Sequence, residues 1–76
     1  MKQNVLVQFG NKVRERRRIL GWSQEELARR AGVHRTYIGM IERAEKNITL
    51  ENIEKIARAL ETPLNKLMTF GIYGNK

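Results

Sequence analysis

The stretch QEELARRAGVHRTYIGMIER, residues 24–43, decides how the rest of the chain is read. Its apolar positions Leu27, Ala31, Val33, Ile38 and Ile41 fall where two helices crossing at about 90–120° bury a shared corner. Ala28 is small at a point where anything larger would collide with the second helix. Gly32 stands at the joint, where a tight turn needs a positive φ. A connection of about three or four residues then separates the helices. Each match alone is cheap, but together and in register they form a demanding steric pattern.

Working outward, Ser23 precedes the first of these helices and Glu26 lies three residues on, the S-x-x-E capping box. Upstream, a helix is predicted from Val5 to Leu20, with Leu6, Phe9, Val13 and Leu20 on one face. Arg16 falls in the middle of that face, where a strict repeat wants an apolar residue. It must snorkel past its neighbours or pair with a glutamate. Gly21 fits the helix end, because glycine takes the left-handed conformation without steric cost. Downstream, the second helix of the corner runs from Arg35 to Ala44, and His34 reads as its N-cap rather than as a ligand or pH sensor. Lys46 and Asn47 lie in a loop. Thr49 caps a helix whose Ile53, Ile56, Ala57 and Leu60 make a clean stripe. Thr62-Pro63 restarts the chain, with Pro63 at a first helical position, and Leu64, Leu67 and Met68 form a last turn. Residues 70–76 carry two glycines and no period, so they read as a tail. With no strand alternation or internal repeat, the expected fold is all-α: a compact bundle of five short helices in one domain spanning residues 1–76.

Composition bounds the function. The 76 residues include fifteen Lys or Arg against eight Glu and no Asp, a net charge of +7 and a pI near 10.4. A chain of this length holds one domain and buries only about 60% of its unfolded surface. Cysteine is absent, which excludes disulfides and Cys-based zinc sites. One histidine without aspartate leaves almost nothing for a catalytic triad or metal cluster, so no enzyme, metal or cofactor is expected. No apolar run approaches the ~18 residues of a membrane span, and no signal-peptide pattern opens the chain. The expectation is a cytoplasmic domain that meets a polyanion. Residues 1–43 hold ten basic and four acidic side chains, while residues 44–76 hold five and four. The cluster Lys12, Arg14, Arg16, Arg17 and Arg18 is either a solvated helix face or a phosphate-facing patch.

The longer stretch WSQEELARRAGVHRTYIGMIERAEKNITLENIEKIARALETP, residues 22–63, resembles the lambda-repressor-like, or Xre-type, helix-turn-helix family. The likeness runs from about Phe9 to Leu67. Within the family, RTYIGMIERAEKN is similar to the controller proteins of restriction–modification systems, small dimers that regulate their own operon and the endonuclease gene. The resemblance implies a sequence-specific DNA-binding transcription regulator, acting as a homodimer on a pseudo-palindromic operator. Alternatives of the same fold are a phage-type repressor and an autorepressing antitoxin. A helical protein-interaction module, its charge serving only solubility, is the alternative from another class.

For such a regulator the first residues of the second helix of the corner, Arg35, Thr36 and Tyr37, face base edges in the major groove. Arginine's fork matches O6 and N7 of guanine, so base contact is preferred for Arg35 over a phosphate contact or a solvated charge. Thr36 can donate to phosphate or base, or simply satisfy its own backbone. Tyr37 touches the duplex or lies on the helix surface. Met40 is groove-facing or filler, and filler is preferred. Gln24, at a helix N-terminus suited to anions, is expected to clamp phosphate and brace Arg35. Arg43, Lys46 and Asn47 are expected on phosphates along the following loop. In relatives of this type the positions of Arg17 and Glu42 form an ion pair joining the first and third helices. For Glu25, complementing the helix dipole is preferred over touching the polymerase sigma subunit, as activating relatives do at this position. The apolar surplus of Leu64, Leu67, Met68, Phe70, Ile72 and Tyr73 suggests a dimerisation patch, or a frayed tail.

Overall fold

The structure is a computed structural model that describes residues 4–69. Among the described residues there are five α-helices and no strand. Helix α1 is Val5–Ile19, α2 Gln24–Ala31, α3 Arg35–Glu42, α4 Leu50–Ala59 and α5 Leu64–Leu67. Their starts are set by side-chain caps that satisfy otherwise orphaned amides. Asn4 Oδ1 accepts from the Val7 amide at 3.0 Å, Ser23 Oγ from Glu26 at 3.0 Å, and Thr49 Oγ1 from Asn52 at 3.1 Å. His34 caps α3 through Nδ1, which accepts from the Thr36 amide at 3.1 Å. Pro63 stands just before α5 rather than as its first residue, its ψ of 143° still extended.

The helix ends share one device. In each of α1 to α4 a residue with positive φ turns the chain, and two amides reach back to late carbonyls, the Schellman pattern. Gly21 and Gly32 take this position with φ of 75° each, but Ala44 and Glu61 take it too, with φ of 60° and 55°. For α3 the bonds are Glu45 N–H to the Met40 carbonyl at 2.8 Å and Ala44 N–H to Ile41 at 3.0 Å. That ends α3 at Glu42, short of the expected Ala44.

Helix α3 packs on α2 and α1, α4 packs on α2, and α5 joins α4 to α1. The apolar stripes meet in one core of Phe9, Val13, Leu27, Ile38, Ile56, Leu60 and Leu67, each almost inaccessible to solvent. Leu67 is 0% exposed, which corrects its expected place in a dimerisation patch: it completes the core of its own chain. Met68 is half-buried against the same core, Leu64 is 42% exposed, and Phe70 lies outside the described residues. Arg16 neither snorkels free nor finds a glutamate. Its Nε donates to Thr62 Oγ1 at 3.0 Å, tying α1 to the joint before α5.

Candidate nucleic-acid interface

The α2–α3 corner presents the start of α3 to solvent. Gly32 takes φ of 75°, and Val33 N–H bonds back to the Ala28 carbonyl at 3.0 Å. The chain is thereby turned so that His34 can cap α3. Ile38 and Ile41 bury one side of α3, leaving Arg35 and Thr36 exposed on the other. Neither side chain has an ion-pair or hydrogen-bond partner among the described residues, so both are available to a ligand. Tyr37 is half-buried, and its hydroxyl accepts from Asn52 Nδ2 at 2.9 Å, so α4 holds the ring in place. Met40 is half-buried yet stands apart from the core cluster. It lies one turn beyond Thr36 on the same helix face. Met40 thus shares the Thr36 face while remaining partly packed.

Among the described residues the most buried charge lies at the opposite end of α3. Glu42 is 4% exposed at the end of α3. Arg17 grips it with two bonds, Nε to Oε2 at 2.7 Å and Nη2 to Oε1 at 3.0 Å. Arg17 also donates Nη1 to the Trp22 carbonyl at 2.9 Å, so it locks the end of α1 to the end of α3. Arg14 donates Nη2 to the Glu42 backbone carbonyl at 2.7 Å, a cation at the negative end of the α3 dipole. Burial pushes the Glu42 carboxyl up, but hydrogen bonds from Arg17 and Gln24, with the charges of Arg17 and Arg14, outweigh it and hold the carboxyl below the ordinary carboxylate value.

Gln24 joins this centre differently from the expectation. Its Nε2 donates to Glu42 Oε1 at 3.0 Å, so it braces the carboxylate rather than Arg35. Its Oε1 lies 3.6 Å from where a Cβ on Gly39 would stand, and Arg43 Nη1 lies 3.1 Å from the same point. Gln24 and Arg43 therefore converge over Gly39, at the middle of α3. Arg43 is not free. Glu45 holds it with bonds of 3.0 and 3.2 Å and favours its charged form. Lys46 and Asn47 are exposed in the loop that follows.

Two contributors escaped the sequence reading. A Cβ on Gly10 would stand 2.5 Å from the Ile41 carbonyl oxygen and 3.1 Å from that of Glu42. So α1 and the end of α3 touch backbone to backbone there. The signal available was a glycine inside a helical period, which costs ~1 kcal/mol against alanine and so implies a packing reason. Arg14 was visible only as one of a cluster. Nothing in the spacing singles it out as the residue that satisfies an α3 carbonyl.

The family model described as helix-turn-helix matches residues 13–67, which takes in the corner, Glu42 and the whole of the core after α1's first turns. The chain belongs to this helix-turn-helix family. It is Xre-like, and its relatives are DNA-binding regulators. Over 76 residues the chain is 45% identical to the control protein C.BamHI of Bacillus amyloliquefaciens, covering 99% of this chain and 94% of that one. It is 51% identical over 57 residues to the control protein C.SmaI of Serratia marcescens, covering 75% and 68%. Among solved structures it is similar to the restriction–modification controller protein C.AhdI from Aeromonas hydrophila, with a TM-score of 0.80 and 45% identity over 82% of this chain and 94% of that one. The Glu42 cluster anchors the end of α3 to α1 and α2. Among the described residues no helix is long and apolar enough to cross a membrane, and no group of three metal-ligating side chains occurs.

Proposed function

We propose that this chain is a controller-type, sequence-specific transcription regulator that acts in the cytoplasm as a homodimer on a pseudo-palindromic DNA operator, without enzymatic activity or cofactor. The observation that carries this reading is the unpartnered pair Arg35 and Thr36 at the start of a helix whose other end is anchored by Arg14, Arg17 and Gln24. Anchoring matters because base readout requires side chains delivered to a groove edge within a fraction of an ångström. Arg35 reads guanine, Thr36 reads base or phosphate, and Tyr37 and Met40 border the groove. Gln24, Arg43, Lys46 and Asn47 track phosphates, with Arg43 exchanging Glu45 for the duplex on binding.

A dimer is supported by the apolar surface beside α5. Leu50, 79% exposed, and Leu64, 42% exposed, border a cleft of about 500 Å³ that Ala57, Thr62 and the Glu54–Arg58 ion pair also line. Helix-turn-helix dimers read two half-sites about one DNA turn, ~34 Å, apart, and a second copy on this face would supply the second recognition helix. Glu25, exposed at the start of α2 and outside every ion pair among the described residues, offers a carboxylate to the polymerase sigma subunit. Glu25→Ala should then bind the operator normally yet activate less in a transcription assay; full activation would remove that role.

Selection of bound sequences from a random duplex pool tests the whole reading. It should return two half-sites of two-fold symmetry, one turn apart. On that site Arg35→Ala should lose about 1–3 kcal/mol and relax one base position. Lys46→Ala should instead weaken specific and random duplexes alike and reduce the salt slope by about one. If the two variants behave identically on both kinds of DNA, the assignment of roles is wrong. Absence of steep salt dependence would favour a protein-interaction module.

A further inference from the structure

Arg16 interrupts the apolar face of α1, and the DNA-reading surface makes no use of it. Its Nε is held by Thr62 Oγ1 at 3.0 Å, and that hydroxyl donates to the Leu60 carbonyl at 3.0 Å. The joint between α4 and α5 therefore sets the plane of the guanidinium. A guanidinium has five N–H donors, of which this bond uses one. The terminal nitrogens have no partner among the described residues, and Arg16 forms no ion pair. Lys12, one turn earlier on α1, and Lys66 on α5 line the same cleft, of about 350 Å³, with Leu67 giving it an apolar wall. Neither lysine is in an ion pair among the described residues. Glu61 also borders the cleft but pairs with none of the three cations.

Three cations around one opening outnumber its single carboxylate, Glu61, and an anion between them relieves their mutual repulsion. An arginine edge fixed in plane matches two oxygens of a phosphate, and lysines add point charges around it. The volume sits at the low end of small-molecule sites, which run from about 300 to 1,000 Å³. That is room for a phosphoryl group with a small substituent. At 3.6 residues per turn, Lys12 and Arg16 lie on a different flank of α1 from Arg14 and Arg17, which face α3. We propose that this cleft is a second binding site, for a phosphoryl oxyanion, separate from the recognition surface. The phosphoryl group belongs either to a small phosphorylated molecule or to the backbone of a duplex bent around this flank.

The full chain, labelled with ¹⁵N, is titrated with inorganic phosphate and then pyrophosphate at ionic strength held constant with sodium chloride. The expected result is a saturable shift of the Arg16 Nε–Hε resonance and of the Thr62 and Lys66 amides. Arg16→Met, which keeps an apolar stem on α1, should weaken the affinity at least tenfold. Lys66→Gln alters an exposed side chain and should weaken it severalfold, so it carries the test even if Arg16→Met unfolds. A response that never saturates, that chloride reproduces, or that survives both substitutions overturns the proposal. The source is separated by binding a long duplex. If the group is the DNA backbone's, Arg16→Met lowers the salt slope by about one; if it is a small molecule's, the slope is unchanged. Base readout by Arg35 is unaffected in either case, so failure here leaves the regulator reading standing.

Discussion

At the scale of single residues, Gly10 and Glu42 carry more of the architecture than their neighbours. Gly10 permits contact between α1 and the last carbonyls of α3, with the Ile41 oxygen 2.5 Å from where a Cβ would stand. Alanine is the better helix former by about 1 kcal/mol. Here the obstacle is backbone, which cannot swing aside as a flexible side chain would. Overpacking of this kind costs about 1–3 kcal/mol. Gly10→Ala should therefore lower stability in urea unfolding, against the propensity trend, and an unchanged or raised midpoint would show that α1 can shift away. Glu42 is the complementary case, a buried carboxylate made tolerable by the groups around it. Its pairing with Arg17 was legible only through family resemblance. The parts played by Arg14 and Gln24 were not, because their meeting depends on where α1 and α2 cross α3 in space.

At the scale of elements, helix starts were far more legible than helix ends. Ser23 and Thr49 announce their helices because a cap hydroxyl must bond an amide close by in sequence. The stops at Gly21 and Gly32 are equally plain, since glycine is the residue that left-handed backbone prefers. Ala44 and Glu61 close α3 and α4 in that same conformation without glycine, and no sequence signal marks them. Their strain is of order 1 kcal/mol each and is sustained by the bonds of the turn. Ala44→Gly should raise stability by about 0.5–1 kcal/mol, part of the relief being offset by the greater freedom of glycine in the unfolded chain. Thermal unfolding checks this, and a fall in midpoint would mean that the Ala44 methyl makes a contact worth more than the strain.

At the scale of the molecule, the net charge of +7 is no uniform coat. Arg14 and Arg17 are spent on Glu42, Arg29 and Arg30 on Glu26, Arg43 on Glu45 and Arg58 on Glu54. Exposed pairs of this kind contribute little to stability, about 0–1 kcal/mol, whereas the Glu42 cluster is buried and its loss is costly. Because the Glu42 carboxyl titrates below its ordinary value in the folded state, its stabilisation is complete above the unfolded value of about 4.3. It is lost as pH falls through the lower folded value. Unfolding midpoints measured from neutral pH downward should stay level to about pH 5 and drop below about pH 4. Glu42→Gln should be less stable at neutral pH and show a shallower acid decline; an equal decline in both proteins would assign the acid sensitivity to other carboxyls. The amino-acid sequence by itself determined the five helices, the core stripes and the α2–α3 corner, since caps, periodicity and turn glycines act within a few residues of one another. Only the tertiary structure decided that Leu67 is core, that Gln24 serves Glu42, that Gly10 is a contact point and that Arg16 opens onto a basic cleft. Those outcomes depend on which helix faces which across the bundle, a choice made by shape and burial between segments distant in the chain.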